Sequence, residues 1–134
     1  MGALGPIRPT LDRPTLDGMS PLTTSQLMLD GGLVAEVEQA RSLAERSRGL
    51  LGRDGISTGL VLRPASSVHT LGMRFPIDVA YVDKSGRVLA VITMPPGRMG
   101  RPRLRSKWIL ETAAGQCATW GIAPGRVLSL RQSG

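Results

Sequence analysis

Two apolar segments joined by a short polar turn constrain the fold of this chain more than any other feature of its sequence. Residues 77–82 and 87–94 are mostly apolar, and residues 83–86 between them read Asp-Lys-Ser-Gly. Asp, Ser and Gly are residues that tight turns favour, so the pattern predicts an antiparallel β-hairpin. Because the second segment is apolar on both faces, we expect it to form a central strand of a sheet.

Further apolar segments of strand length recur along the chain, and turn residues separate them. The other predicted strands are residues 26–29, 33–37, 59–62, 66–70, 108–111 and 126–130. One helix is predicted from the capping-box pair Ser42 and Glu45 to Gly52, and another over residues 113–120 with Thr112 as its cap. Closely spaced strands with few helices favour a mainly β fold, a compact antiparallel β-sandwich or barrel of about eight short strands with two short helices. An α+β fold is the alternative.

The length of 134 residues favours one domain that can bury a core without disulfides or metals. Residues 1–22 are rich in Pro, Gly and Thr, so we predict a disordered N-terminal tail followed by a single domain over residues 23–134. Cys117 is the only cysteine, which excludes an intramolecular disulfide and fits a reducing compartment. No secretory signal and no apolar run of membrane-spanning length occur, so we expect a cytoplasmic protein without a membrane span.

Four motifs occur in an order that resembles a known family. They are Arg-Gly-Leu-Leu-Gly-Arg at residues 48–53, Gly-Leu-Val-Leu at 59–62, His-Thr-Leu-Gly-Met with Pro-Ile-Asp at 69–78, and Leu-Glu with Ala-Gly at 110–115. Over roughly residues 33–130 the chain resembles the bacterial and archaeal family called domain of unknown function 192, with the His-Thr variant of its central motif. The resemblance implies a β-sandwich or barrel with short helices, and it implies no established enzyme activity.

Asp78 is an acidic residue inside an apolar strand, where an uncompensated charge is costly to bury. One interpretation is a structural carboxylate that accepts hydrogen bonds from loop amides or from Arg48. The other is a ligand-binding or acid–base group. The predicted ligand pocket contains six residues: His69, Thr70, Met73 and Asp78, with Arg48 and Glu111 as further members.

This pocket predicts a non-catalytic binding or accessory module for a small polar ligand or a protein segment. The enzyme alternative is a hydrolase in which His69 acts as a base beside Asp78, with Ser66 or Ser67 as the nucleophile. No nucleophile-elbow sequence accompanies these residues, so we favour a protein that is not an enzyme.

Five cations without an intervening acid lie within residues 98–107, the basic loop: Arg98, Arg101, Arg103, Arg105 and Lys107. One interpretation is a solvated, mobile loop. The other is an anion-binding site for phosphates, including those of nucleic acid. Trp108 is the only aromatic residue beside the loop, whereas single-strand binders present several stacking rings, so nucleic-acid binding is the less favoured alternative.

The sequence carries no recognisable metal or cofactor motif. His69 and Cys117 are the only His and Cys, which leaves no zinc-ligand spacing, and no Walker or Gly-x-Gly-x-x-Gly motif occurs. Cys117 lies on the apolar face of its predicted helix, which is typical of a small buried hydrophobe. We therefore predict no metal and no cofactor, while the ligand and the oligomeric state stay open.

Overall fold

The computed structural model describes residues 22–133, and within them seven strands and two short helices are formed. The elements are β1 (Thr23–Leu29), β2 (Gly32–Ala40), α1 (Leu43–Arg48), β3 (Gly59–Leu62), β4 (Ile77–Val82), β5 (Val88–Met94), β6 (Trp108–Ala113), α2 (Gln116–Trp120) and β7 (Leu128–Gln132). All seven strands belong to one sheet in the order β5-β4-β6-β3-β2-β1-β7. The predicted mainly β fold is confirmed, and over the described range the sheet is not closed into a barrel. The predicted tail lies outside the described residues except for Leu22.

Two hairpins predicted from local sequence, β1–β2 and β4–β5, are present. In the first turn, Asp30 and Gly31 have φ values of 49° and 87°, and a type I′ turn requires positive φ at both central positions. In the second turn, the Asp83 carboxylate accepts hydrogen bonds from the Ser85 hydroxyl at 2.7 Å and from the Arg87 N–H at 3.0 Å. These bonds, that of the Ser85 hydroxyl above all, lower the pKa of Asp83.

The sheet departs from the predicted arrangement in two ways. β5 is an edge strand rather than a central one, and although Val88 and Met94 at its ends are buried, Ile92 between them is exposed. β2 and β3 pair in parallel, whereas antiparallel pairing was expected. The parallel pair follows from the connection, because α1 and the segment after it carry the chain back before β3 begins.

Residues 66–70 do not form the predicted eighth strand. The Thr70 N–H instead donates to the Arg98 carbonyl, and the Gly100 N–H donates to the Val68 carbonyl, both at 2.8 Å. This segment therefore pairs with the basic loop rather than with the sheet. Gly100 and Pro102 of that loop are poor strand residues, so the pairing stays irregular.

Both helices are shorter than predicted. α1 keeps the predicted capping box but ends at Arg48 with Gly49 as its C-cap, before the expected end at Gly52. α2 starts only at Gln116, because β6 continues further than expected and takes Thr112 into the sheet. Thr112 consequently cannot cap the helix, and another residue has to satisfy its first N–H groups.

Apolar side chains form two clusters that pack against opposite faces of the sheet. One cluster contains Cys117 of α2, and the other contains Leu50 just after α1. β4 is buried along its whole length, and its side chains alternate between the clusters, so that Ala80 belongs to the first and Tyr81 to the second. The sheet thus separates an α2 side from an α1 side.

Candidate functional site

A cavity of about 360 Å³, the α1 pocket, lies on the α1 side of the sheet. Residues 46–51, which run from α1 into the following turn, form one wall, and residues 64–69 form another. Leu43, Leu62, Met73 and the β6 residue Glu111 complete the lining. Strand β6 alternates like β4, and this alternation turns Glu111 toward the α1 side of the sheet.

Local hydrogen bonds fix the helix that borders the pocket. The Glu45 N–H donates to Ser42 Oγ at 3.0 Å, and Glu45 Oε1 accepts from the N–H groups of Arg41 at 2.9 Å and Ser42 at 3.2 Å. These backbone bonds, that of Arg41 first, lower the pKa of Glu45. Beyond the helix, Arg53 pairs with Glu38 at 2.8 Å. These bonds hold α1 and the turn after it, which form one wall of the pocket, in place.

Glu111 is the most unusual polar group at this pocket. Its residue surface is only 3 % exposed, and no side chain or backbone group of residues 22–133 donates a hydrogen bond to its carboxylate. Burial raises the pKa of Glu111 to about 7, and the positive charge of Arg53 opposes this rise only in part. A buried carboxylate of this kind takes up a proton or accepts hydrogen bonds from water or a ligand in the pocket.

Three other residues predicted for the site line the same pocket: Arg48, His69 and Met73. His69 is exposed, and its Nδ1 accepts a hydrogen bond from the Leu71 N–H at 3.2 Å. Met73 is buried in the second cluster and supplies an apolar wall. The pocket therefore combines a carboxylate, an imidazole and a guanidinium with an aliphatic lining, which suits a small ligand of mixed polarity.

Thr70 does not line the pocket, although it was predicted to. Its hydroxyl donates to the Pro95 carbonyl at 2.7 Å and accepts from the Arg98 N–H at 2.9 Å. The side chain is fully buried. These contacts tie the end of β5 to the basic loop, so Thr70 orders the loop.

Asp78 lies on the α2 side of the sheet, away from the pocket. Its Oδ1 accepts from the Thr93 hydroxyl at 2.7 Å, and its Oδ2 accepts from the N–H groups of Gly115 at 2.9 Å and Cys117 at 3.3 Å. The carboxylate thereby caps α2, the task that Thr112 cannot perform. This contact set matches the structural interpretation in which loop amides satisfy Asp78.

The structure does not join the residues of the hydrolase alternative. His69 faces the α1 pocket, whereas the hydrogen bonds of Asp78 all lie on the opposite side of the sheet. Ser66 and Ser67 do line the pocket with His69. Within the described residues, however, no hydrogen bond links either hydroxyl to the imidazole. The arrangement lacks the nucleophile–base–orienter chain that defines a triad.

Of the six residues predicted for the ligand pocket, Arg48, His69, Met73 and Glu111 line the cavity, whereas its leucine wall and the nearby Arg53 were not predicted. Leu50, Leu51 and Leu62 line the cavity, and nothing in a leucine distinguishes a pocket wall from ordinary core. The only available signal for Leu50 and Leu51 was their place in the Arg-Gly-Leu-Leu motif. Arg53 ends the same motif, but its nearness to Glu111 depends on the turn after α1 and could not be predicted from the motif.

The basic loop is held by contacts at its centre and exposes most of its charges. The Arg103 guanidinium lies 4.7 Å from the centroid of the Tyr81 ring, a cation–π geometry. The remaining four cations are exposed to solvent: Arg98, Arg101, Arg105 and Lys107. The loop therefore offers positive charge on an ordered framework.

Two features are absent from residues 22–133. No three His, Cys, Asp or Glu side chains there come together in a way that would hold a metal ion. No helix in that part of the chain has the length and apolar character needed to cross a bilayer.

Solved structures from two bacteria share the fold. A protein of Sinorhizobium meliloti 1021 that carries a provisional transcription-regulator name superposes with a TM-score of 0.74 at 19 % identity, covering 84 % of this chain and 98 % of that one. A protein of unknown function from Novosphingobium aromaticivorans DSM 12444 gives a TM-score of 0.67 at 20 % identity, covering 90 % and 93 %. At these identities the likeness concerns the fold alone.

The family comparison agrees with the resemblance read from the four motifs. No curated protein matches this sequence. A family model described as an uncharacterized group, DUF192, matches residues 26–130. That range includes the whole α1 pocket, the basic loop and both helices. The chain therefore belongs to the DUF192 family.

Proposed function

We propose that this protein is a non-catalytic binding module that takes a small polar ligand in the α1 pocket. The observation that carries the proposal is the Glu111 carboxylate, which is buried at the pocket and receives no hydrogen bond from the described residues. A ligand with an N–H or O–H donor would satisfy this carboxylate, and a protonated amine would do so most strongly.

The size and lining of the pocket support a small ligand. A volume of about 360 Å³ lies at the lower end of the range for small-molecule sites, roughly 300–1,000 Å³. Leu50, Leu51 and Met73 supply apolar contact, while His69 and Arg48 add polar groups at the same cavity. Few polar groups in an apolar lining are the usual composition of a ligand site.

The contacts of His69 and Asp78 favour binding over hydrolysis. The Asp78 carboxylate is occupied by Thr93 and by the amides that begin α2. Within the described residues, no buried acid is hydrogen-bonded to His69. A general base needs an orienting partner and a nucleophile within hydrogen-bond reach, and the known contacts supply neither.

The experiment is an NMR titration of the ¹⁵N-labelled full chain with a defined probe panel. The panel contains n-butylamine, N-methylguanidine, n-butyramide, n-butanol and a lysine-containing tripeptide. We expect the amine or guanidine to shift the amide signals of residues 46–51 and 64–69. Shifts produced only by the tripeptide would instead indicate a protein segment as the ligand.

Glu111→Gln tests the role of the carboxylate, and Glu36→Gln, an exposed glutamate on β2, is the matched control. We expect Glu111→Gln to weaken amine binding by about tenfold or more, because a charge-assisted hydrogen bond becomes a neutral one. Glu36→Gln should leave binding unchanged. Probes that cause no clustered shifts in the wild type, or equal binding by both variants, would contradict the proposal.

A further inference from the structure

The tip of the basic loop presents an aliphatic side chain surrounded by cations. Leu104 is 91 % exposed, and the shallow depressions on its two sides are lined by three cations, Lys84, Arg105 and Lys107, and by one acid, Asp83, whose carboxylate is hydrogen-bonded within its own turn. A second aliphatic residue of the same loop, Met99, is 72 % exposed. Transfer of such an aliphatic side chain from water into another apolar phase is favourable.

We propose that Leu104 and the cations around it dock the protein on the surface of an anionic lipid bilayer. Lys84, Arg105 and Lys107 would lie at the level of the lipid phosphates, and Leu104 would enter the boundary between headgroups and acyl chains. This combination of basic and aliphatic side chains is the pattern of interfacial membrane binding. The inference is independent of the ligand proposed for the α1 pocket.

The loop is prepared for docking because its tip is already ordered. The Ser106 N–H donates to the Arg103 carbonyl at 2.9 Å, which closes a turn with Leu104 at its tip. The Ser106 hydroxyl donates to the Ala65 carbonyl at 3.1 Å, and the Arg103 guanidinium lies over the Tyr81 ring. A preorganised tip loses little conformational entropy when it meets a surface.

The residues beside the loop favour a lipid surface over nucleic acid. Proteins that bind single strands stack bases on exposed aromatic rings, but Trp108 and Tyr81, the aromatic residues next to this loop, are both buried. The exposed group is instead the aliphatic Leu104, which has no stacking face and is suited to hydrocarbon. The positive charge of the loop would attract either nucleic acid or an anionic lipid surface. The exposed aliphatic side chain of Leu104 favours the lipid surface.

Co-sedimentation of the full chain with lipid vesicles tests the proposal. The vesicles contain phosphatidylcholine alone or phosphatidylcholine with about 30 % phosphatidylglycerol, an anionic content that gives a negative surface potential. We expect binding to the anionic vesicles that weakens with added salt, and little binding to the neutral ones. Equal sedimentation with both compositions, or none with either, would overturn the proposal.

Matched variants separate the aliphatic and the electrostatic contributions. We expect Leu104→Ser to weaken binding at least about fivefold and Arg105→Gln/Lys107→Gln to weaken it about thirtyfold. The controls are Leu33→Ser, an exposed leucine on β2, and Arg41→Gln/Arg131→Gln, two exposed arginines elsewhere; these should bind as the wild type does. Controls that lose binding to the same extent would overturn the proposed location.

An oligonucleotide provides the competing outcome. Tight, salt-dependent binding of a 20-nucleotide single strand that is lost in Arg105→Gln/Lys107→Gln but unchanged in Leu104→Ser would replace the lipid surface with nucleic acid. Glu111→Gln should bind anionic vesicles normally, so a failure of the pocket proposal would leave this result unaffected. Circular dichroism melts of every variant confirm that a loss of binding is not a loss of fold.

Discussion

The Asp78 carboxylate on β4 accepts a hydrogen bond from the Gly115 N–H at 2.9 Å and thereby anchors the start of α2 to the sheet. These residues are 37 positions apart in the chain. The contact explains how a charged residue is tolerated in a strand whose every residue is buried. It also explains how a five-residue helix is held without a side-chain cap of its own.

Removing this anchor should destabilise the fold. Asp78→Ala leaves three donors without their acceptor, namely the Thr93 hydroxyl and the N–H groups of Gly115 and Cys117. We expect the free energy of unfolding to fall by about 1–3 kcal/mol, measured by urea denaturation. Asp54→Ala, which removes an exposed ion pair with Arg74, should cost less than about 0.5 kcal/mol. An unchanged midpoint for Asp78→Ala would contradict the anchoring role.

Thr70→Val should loosen the connection between β5 and the basic loop. Valine has nearly the same shape as threonine, so the change removes the hydroxyl bonds to Pro95 and Arg98 and little else. We expect a loss of about 1–2 kcal/mol and faster hydrogen exchange of the Arg98 amide. Thr24→Val, at an exposed position of β1, is the control. Exchange at Arg98 that does not change would show that Thr70 does not order the loop.

Glu111 should make the stability depend on pH. Its folded pKa of about 7 lies above the ordinary value of 4.5, so the folded state binds the proton more tightly than the unfolded state. The contribution of Glu111 to the free energy of unfolding is fully present below about pH 4.5 and is lost as the pH rises through about 7. Its magnitude is on the order of 3 kcal/mol.

Urea denaturation between about pH 5 and pH 8 measures this effect. The lowered pKa values of Asp30, Glu45 and Asp83 affect stability at more acidic pH, because their contribution is lost only as the pH falls. We expect wild-type stability to decline across the measured window and Glu111→Gln to show a flatter profile. A wild-type stability that rises over the same window would refute the assignment.

Cys117 should be unreactive in the folded protein. The thiol of this α2 residue is buried, and burial raises its pKa to about 11, so almost no thiolate is present at neutral pH. We expect a disulfide reagent such as DTNB to label it at pH 8 only as fast as the protein unfolds. Labelling in denaturant should be rapid and complete. Rapid labelling of the native protein would show an accessible thiol.

Local sequence predicted the elements whose hydrogen bonds form between neighbours in the chain. The turn at residues 83–86, the Asp30-Gly31 turn and the Ser42–Glu45 capping box are all present. Their partners lie within a few residues of one another, so turn and cap preferences identify them directly. Errors appeared where the partner lies far along the chain, as for residues 66–70, which pair with the basic loop instead of joining the sheet.

The candidate site also shows that local sequence predicts contacts between chain neighbours but not contacts between distant segments. Asp78 and Glu111 are both single acids in apolar strands, and sequence alternation places each on one face of its strand without showing what covers that face. The tertiary structure places the amides of α2 against Asp78 and a cavity against Glu111. The two carboxylates therefore have opposite roles, although their sequence patterns are alike.

The sequence by itself determined the mainly β character, the hairpin turns and the family, because periodicity, turn chemistry and motif order are local properties. Only the tertiary structure decided that β2 and β3 run parallel, that Asp78 rather than Thr112 caps α2, and that Glu111 lies at the pocket without a hydrogen-bond donor among residues 22–133. Each of these depends on which distant segments pack together, and packing is set by the whole core rather than by any one segment.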